Sequence, residues 1–419
     1  MPNKKWTVMV WMAGDNNLQD AGEQDLQEMK KVGSTADVDV VVQFDRMSDQ
    51  NTRRYHIQKG TPLQQDEVQS LGATNCGDPK VSTDFFVWAM KQYPADRYLA
   101  SFWNHGGGID ETDVYARARS MGLPAGRKVR RGNGNGNGGA AVTEAHARVI
   151  ANSRYRHALF STTVEKAIVR RGIAYDDTAR DFLDNAELKT VLKDVTTQTG
   201  KKIDLVGFDA CLMNMIEIGY QLRQYAGYSV GSEQTEPGEG WPYDTVLGDL
   251  NANPAMGAGA FGTAIVKRYI GSYTSGGVTQ SLLDLGRSDD IAKLVDALAK
   301  ALLAAIKKPA DYAAVTKATK AAQHYEYADF LDLCDLCAQL KTRVSAKAVK
   351  TAATAVMDAL CGGASPFVVA SKSKGKGVAK SFGASIYFPA ARDVKVAYSS
   401  LDFAKATAWD EFIAAYQKP

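Results

Sequence analysis

Four short apolar runs recur in the first half of the chain, and each ends abruptly in small or polar residues. They are WTVMVWMA (6–13), VDVVVQF (38–44), YLASFW (98–103) and IDLVGF (203–208). Segments with helical spacing separate them, at 18–31, 83–93 and 187–197. Buried strands that alternate with helices are typical of a mostly parallel sheet covered by helices on both faces. We therefore expect an α/β fold, with 54–58 as a weaker edge strand.

The second half of the chain has a different pattern. Ala- and Lys-rich helical segments dominate it, at 288–308, 310–322, 328–341 and 345–360, and two strands (367–371 and 384–388) and a helix at about 405–417 follow. We expect a first domain over residues 1–250 and a helical C-terminal subdomain over residues 251–419, whose strands complete the fold.

Composition excludes several classes of protein. The net charge is +3, which gives no general reason to expect a nucleic-acid partner. Five scattered cysteines do not form a disulfide framework. No apolar stretch approaches the ~20 residues of a membrane span, and the N-terminus reads as a strand instead of a signal peptide. We expect a cytoplasmic protein, or a secreted one whose signal peptide has been removed.

A long basic interruption separates the third and fourth apolar runs. Residues 109–172 contain the sequence RKVRRGNGNGNGGAA, and residues 127–171 hold ten Lys or Arg and two acids. A Gly- and Asn-rich run of this kind cannot bury apolar surface. The sequence predicts a flexible loop over about 109–172, and loops of this length inside a compact domain are usually functional or disordered.

Two candidate reactive residues follow two of the apolar runs. His105 lies in NHGGG after 98–103, and Cys211 lies in DACLM after 203–208. The carboxyl ends of parallel strands meet at one edge of a sheet, so we expect the two side chains to be neighbours. That is the arrangement of a cysteine nucleophile and its base. A helix after Cys211 (212–225) would favour the thiolate through its dipole. A buried, inert cysteine is the alternative.

Beyond these two motifs, the sequence resembles the clostripain family of cysteine peptidases, which belong to the caspase-like group with gingipains, legumain and separase. The resemblance runs in family order from about residue 6 to 417. It rests on VMVWMAGDNNL, SFWNHGGG, GIAYDDTARDFLDNAELKTVL, IDLVGFDACLMNMIEIGYQL, SEQTEPGEGWPYDTVL, GASIYFP and LDFAKATAWDEFIAAY.

The resemblance implies a caspase-like fold and a function for individual residues. Cys211 matches the family's nucleophile and His105 its catalytic histidine, with the amides of Gly106 and Cys211 as the oxyanion hole. The family mostly cleaves after Arg or Lys with acids in the S1 pocket, where Asp209 and Glu239 match. Glu239 stands where relatives usually carry Asp, which leaves the preference between Arg and Lys open. Ile109 stands where relatives often continue toward Trp.

The resemblance also implies a zymogen that cuts itself between the two dyad residues. The basic loop would then be the protein's own substrate. The candidate cleavage residues are Arg127, Lys128, Arg130, Arg131, Arg148, Arg154, Arg156, Arg170 and Arg171. A solvated linker, or a basic patch for an acidic partner, is the alternative.

Three weaker signals remain. Cys334 and Cys337 have CxxC spacing in a helical pattern, which favours core-facing cysteines over a zinc site. GDNN (14–17) is interpreted as a cation cradle, a lining of the cleft or a helix cap. We expect no certain cofactor and leave calcium open, with Asp176, Asp177 and the acids of TEPGEGWPYD as candidate ligands.

The sequence thus predicts a cysteine endopeptidase that takes protein or peptide substrates, including its own loop. Two rival functions stay open: a catalytically silent interaction protein with the same fold, and an intracellular protease dedicated to one partner.

Overall fold

The structure, a computed structural model, describes residues 3–107, 173–176, 181–274, 276–362, 366–389 and 398–418. Within these ranges the strands are β1 (Lys4–Gly14), β2 (Val38–Arg46), β3 (Asn51–His56), β4 (Glu67–Gly72), β5 (Ala95–Trp103), β6 (Ile173–Asp176), β7 (Asp181–Leu183), β8 (Ile203–Asp209), β9 (Ala226–Gly231), β10 (Val278–Asp284), β11 (Phe330–Asp332), β12 (Val368–Lys374) and β13 (Ser385–Tyr387).

The helices of the same ranges include most of those that the sequence periodicity predicts, together with unpredicted ones such as those at 243–252 and 258–272. They are α1 (Gln19–Val32), α2 (Leu63–Asp66), α3 (Pro79–Gln92), α4 (Asn185–Thr199), α5 (Ile216–Leu222), α6 (Tyr243–Ala252), α7 (Ala258–Ser272), α8 (Ser288–Ala305), α9 (Pro309–Ala321), α10 (Leu333–Arg343), α11 (Lys347–Cys361), α12 (Asp402–Ala406) and α13 (Trp409–Tyr416).

Nine of the strands form one mixed sheet in the order β12-β10-β9-β8-β5-β1-β2-β3-β4. The five central strands, from β9 to β2, pair in parallel. Antiparallel strands extend the sheet at both sides, β10 and β12 on one and β3 and β4 on the other. The expected α/β architecture with a parallel central sheet is confirmed.

Strand β1 shows why helices cover both faces of this sheet. Successive side chains of a strand point to opposite faces. Val8 and Val10 pack into the apolar cluster that includes residues of α1, α6 and α7, whereas Met9 and Trp11 pack into the cluster that includes α3 and α4. All four are at most 2% exposed. A strand buried on both faces therefore appears in the sequence as a continuous apolar run.

The order of the parallel strands creates a crevice at the carboxyl edge. From β1 the chain moves to β2 on one side, and β5 then pairs with the other side of β1. The loops after β1 and β5 consequently leave the sheet in opposite directions. Such a topological switch point is where open α/β sheets bind their ligands.

The second half of the chain joins the same sheet. β10, which the sequence pattern does not reveal, pairs with β9 and with β12, whereas β13 pairs with β11 in a separate two-stranded sheet. Helix α10 begins later than expected because β11 occupies 330–332 and Asp332 caps the helix, accepting the Asp335 N–H at 2.7 Å. The division at residue 250 remains a prediction. Among the described residues, no helix is both long and apolar enough to cross a membrane.

Candidate active site

The two candidate reactive residues leave the sheet side by side. In the parallel pairing of β5 with β8, Trp103 lies opposite Asp209. The pairing continues beyond the strand ends, because the Asn104 N–H donates to the Asp209 carbonyl at 3.3 Å. His105 and Cys211 each follow two residues after that matched pair, so they emerge at the same level of the carboxyl edge.

Gly106 brings the two loops into close contact. A Cβ atom added to this glycine would collide with the Cys211 carbonyl oxygen and lie 3.0 Å from the Cys211 nitrogen. Only glycine allows the backbones to approach this closely. The contact places the Gly106 and Cys211 backbones together, as an oxyanion hole requires, and that role remains a prediction.

The expected helix immediately after Cys211 is wrong. Helix α5 begins at Ile216, and Leu212 has a left-handed φ of 63°. The chain instead runs beside the segment after β9. The Leu212 N–H donates to the Gln234 carbonyl at 3.2 Å, and the Asn214 N–H donates to the Ser232 carbonyl at 3.0 Å. A left-handed residue other than glycine costs about 1–2 kcal/mol, and such strain is concentrated at functional sites.

The thiol of Cys211 has a different source of stabilisation from the one predicted. Its Sγ atom accepts the backbone N–H of Glu236 at 3.2 Å. A hydrogen bond to the charged form of a group favours that form, so this contact supports a thiolate where the helix dipole does not. Cys211 is 0% exposed and His105 is 4% exposed.

The loop after β1 orients His105. Asn17 Oδ1 lies 2.9 Å from His105 Nε2. The loop is itself fixed, because the side chains of Asn16 and Asn104 both donate to the Ala13 carbonyl. With the Asn17 amide oxygen as its acceptor, Nε2 is the nitrogen that carries the proton in the neutral ring. Of the three interpretations of GDNN, the structure favours a lining of the cleft.

Buried acids surround the thiol. Asp209 is 0% exposed and accepts the Tyr243 hydroxyl at 3.0 Å on Oδ2. Glu236 is also 0% exposed. Burial raises the pKa of Tyr269 well above its ordinary value, and the charge of Glu236 and then that of Asp209 and Cys211 add to the increase. Tyr269 is therefore close enough to both acids and to Cys211 to be affected by their charges.

The second S1 residue expected from the sequence is less buried than the first. Glu239 is exposed, whereas Glu236, three residues earlier in the same EPGEGW segment, is buried beside Cys211. The sequence contains two glutamates in this segment and no signal to rank them, because burial depends on how the loop folds back on Cys211. The sequence analysis also does not predict Tyr243 and Tyr269, because they lie on α6 and α7, two helices that it does not identify.

Other expected features cannot be placed. All nine candidate self-cleavage residues, from Arg127 to Arg171, lie outside the described residues, and so does Asp177. Within the described ranges, no three His, Cys, Asp or Glu side chains cluster in a way that could hold a metal ion. The calcium hypothesis stays a prediction, and no chemical step depends on it.

The geometry agrees with comparisons to known proteins. The sequence profile of the clostripain family matches residues 10–123 and 161–416. The chain belongs to the clostripain family. Clostripain from Hathewaya histolytica is 26% identical to it over 278 residues. That match spans 60% of this chain and 43% of clostripain's own length, so less than half of the relative is represented.

Solved structures of the same family share the fold. A secreted C11 cysteine protease from Bacteroides thetaiotaomicron, in complex with an irreversible peptide inhibitor, superposes with a TM-score of 0.63 at 19% identity, covering 97% of this chain and 100% of that one. An inactive zymogen C11 protease from Parabacteroides distasonis gives 0.62 at 18% identity, covering 97% and 99%. The likeness confirms the caspase-like fold expected for the clostripain family.

Proposed function

We propose that this chain is a cysteine endopeptidase with Cys211 as nucleophile and His105 as its proton carrier. The observation that carries the proposal is the matched exit of the two residues from neighbouring parallel strands, at the switch point of the sheet. Membership of the clostripain family supports it independently.

The proposed reaction follows from the atoms at the site. The Cys211 thiolate attacks the scissile carbonyl, and the amides of Gly106 and Cys211 hold the developing oxyanion. His105 donates a proton to the leaving amine and then activates water to release the acyl group. Asn17 acts as a positioning residue, because it fixes the imidazole ring and its tautomer through Nε2.

We propose that the pocket accepts an Arg or Lys side chain at P1. Asp209 and Glu236 supply two buried carboxylates beside the nucleophile, and Glu239 is the surface alternative to Glu236. A guanidinium or ammonium group entering the pocket offsets the desolvation cost of these acids. Arg matches planar carboxylates with two parallel hydrogen bonds, whereas Lys binds as a point charge.

We propose further that the protein is made as a zymogen and cuts its own basic segment. The full burial of Cys211 supports a closed precursor. One structural relative is an inactive zymogen. The proposed location is the cytoplasm, and secretion is the alternative. The Bacteroides relative is a secreted protease.

Turnover of short fluorogenic peptides tests the proposal. Peptides with Arg, Lys, Asp or Leu at P1 are compared with wild type and Cys211→Ala, with calcium or a chelator. We expect Arg or Lys turnover that disappears in the variant. Turnover that survives in Cys211→Ala would remove Cys211 as the nucleophile. An absence of turnover by intact and nicked protein would favour the catalytically silent alternative.

Intact mass after incubation tests self-cleavage separately. We expect wild type to yield fragments cut within 127–171 and Cys211→Ala to remain whole. The same fragments from both proteins would show that another protease makes the cuts.

A further inference from the structure

Three cysteines outside the active site lie together at one end of a helical hairpin. Helices α10 and α11 are joined by residues 344–346 only, so they run antiparallel. Cys334 is the second residue of α10 and Cys361 is the last residue of α11, which places both at the open end of the hairpin. Cys361 is exposed, Cys334 is 7% exposed and Cys337 is fully buried.

Two of these thiols contact each other. The interaction of the Cys334 and Cys361 side chains shifts the pKa of both thiols. Hydrogen bonds tie Cys361 to the start of α10, which carries Cys334. Cys361 Sγ donates to the Phe382 carbonyl at 3.6 Å, the Phe382 N–H donates to Asp332 at 2.6 Å, and Asp332 caps α10. The described part of the chain forms no metal-binding cluster here, so a zinc site does not explain the arrangement.

The two thiols have different chemical character. The hydrogen bond from Cys334 lowers the pKa of Cys361. The same hydrogen bond, followed by burial, raises the pKa of Cys334. Cys361 is thus the exposed thiol of the pair, which a small disulfide can reach, and Cys334 is the buried thiol beside it. Reactive cysteines combine access with thiolate character, and resolving cysteines lie beside them.

We propose that Cys334 and Cys361 form a thiol–disulfide exchange site that reacts with low-molecular-weight disulfides such as oxidised glutathione. The site is distinct from the catalytic cysteine and does not depend on peptidase activity. Its product is an intramolecular disulfide that closes the open end of the α10–α11 hairpin.

The exchange has two balanced steps. The Cys361 thiolate attacks one sulfur of the small disulfide, the sulfur–sulfur bond breaks, and one glutathione thiolate leaves. Cys334 then loses its proton to solvent, attacks the Cys361 sulfur and expels the second glutathione thiolate. Two protein thiols are oxidised and one small disulfide is reduced to two thiols.

A structural path connects this site to the nucleophile. The Phe382 carbonyl accepts Cys361, and the Phe382 N–H donates to Asp332 at 2.6 Å. The Tyr325 hydroxyl connects Asp332 with Glu233. Glu233 lies three residues before Glu236, and the Glu236 N–H donates to Cys211 Sγ. Hydrogen bonds thus connect the exchange site with the segment that contacts the catalytic thiol.

Peptide mapping after oxidation tests the proposal in the full chain. Cys211→Ala is incubated with oxidised glutathione, alkylated and digested with trypsin, which places Cys334 and Cys337 in peptide 321–341 and Cys361 in peptide 351–372. We expect these two peptides to be linked, and to remain linked when Cys337→Ala is added. Adding Cys334→Ala instead should trap glutathione on Cys361, about tenfold faster than on the buried Cys76.

Three results would overturn the proposal. One is an unmodified Cys361 in Cys211→Ala. Another is a stable glutathione adduct on Cys361 while Cys334 is present. The third is a link that requires Cys337. Circular dichroism of each variant confirms that it is folded, and the trapped adduct on Cys361 provides a positive signal even where the disulfide is absent.

Discussion

Two pairs of buried acids lie on either side of the segment after β9. Glu233 and Asp332 face the C-terminal half of the molecule, whereas Asp209 and Glu236 surround Cys211. The first pair is held by donors of the chain itself: the Tyr325 hydroxyl donates to Glu233 at 2.7 Å and lies 3.3 Å from Asp332. Asp332 also accepts backbone N–H groups at 2.7 and 2.6 Å.

The second pair lies among groups that suit a ligand. Asp209 and Glu236 lie near the Cys211 thiol and the buried phenols of Tyr243 and Tyr269. Burial is the largest cause of the raised pKa of Tyr269, and the charges of both acids raise it further. The two pairs differ in neighbours and not in burial, since all four acids are 0–1% exposed. Burial of an acid therefore does not identify a substrate pocket. The identity of its neighbours is more informative, because Asp209 and Glu236 flank the Cys211 segment whereas Glu233 and Asp332 are joined through Tyr325.

The largest effect that separates the two pairs is on activity. We expect Glu236→Gln to lower kcat/KM for a P1 Arg peptide about 10²- to 10³-fold, because truncating one partner of a buried charge pair costs about 2–5 kcal/mol. Glu233→Gln should stay within about threefold of wild type, since it contacts no substrate. The surface variant Glu239→Gln is the matched control. A larger loss in Glu239→Gln than in Glu236→Gln would return the S1 role to Glu239.

How far the sequence predicts this site depends on the kind of contact. The reactive pair is predictable because a strand end is visible in the sequence: apolar runs stop at Asn104 and Asp209, and parallel strands align their ends. The acidic pocket is only partly predictable, because Glu233, Glu236 and Glu239 are spaced alike in one polar segment. The path of that loop decides which of the three glutamates lies beside Cys211. Hydrogen bonds to Leu212 and Cys211 fix that path.

The fold shows the same division. Central strands such as β1 are buried on both faces and are visible as apolar runs. Strand β10 (VTQSLLD) carries polar residues that are buried by neighbouring strands, so its sequence lacks a clear period. The short helix α5 is predicted too early because LMNMIEIGYQL has helical composition from its start. Pairing of Leu212 and Asn214 with the segment after β9 delays the helix.

The second prediction concerns stability and pH. Burial and then the Asp332 charge raise the pKa of Glu233 well above its ordinary value, and burial raises the pKa of Asp332 from 3.8 to about 6. The unfolded chain therefore loses these protons at lower pH than the folded one, and stability falls as the pH rises through this window. For Asp332 alone the loss is about 3 kcal/mol, at 1.36 kcal/mol per pH unit.

Thermal unfolding between pH 4 and 8 measures this effect. We expect Glu233→Gln to be more stable than wild type at pH 8 and similar to it at pH 4, because a neutral amide donates to Asp332 without a second charge. Glu239→Gln, on the surface, should follow wild type throughout. A wild-type stability that rises steadily from pH 4 to 8, unchanged by Glu233→Gln, would show that Glu233 and Asp332 do not retain protons in the folded state.

The smallest expected effect is on kcat, and it comes from substituting Asn17 in the active site. Removing its amide in Asn17→Ala frees the His105 ring, and we expect kcat to fall about 10- to 100-fold with KM within about twofold. Asn17→Asp keeps an acceptor at 2.9 Å from Nε2 and adds a charge. It should recover most of kcat and move the basic limb of the pH–rate profile to higher pH, because a carboxylate stabilises the imidazolium that protonates the leaving amine. Equal losses in both variants, with an unmoved profile and a lower Tm, would make Asn17 a support of the loop after β1 and not a positioning residue.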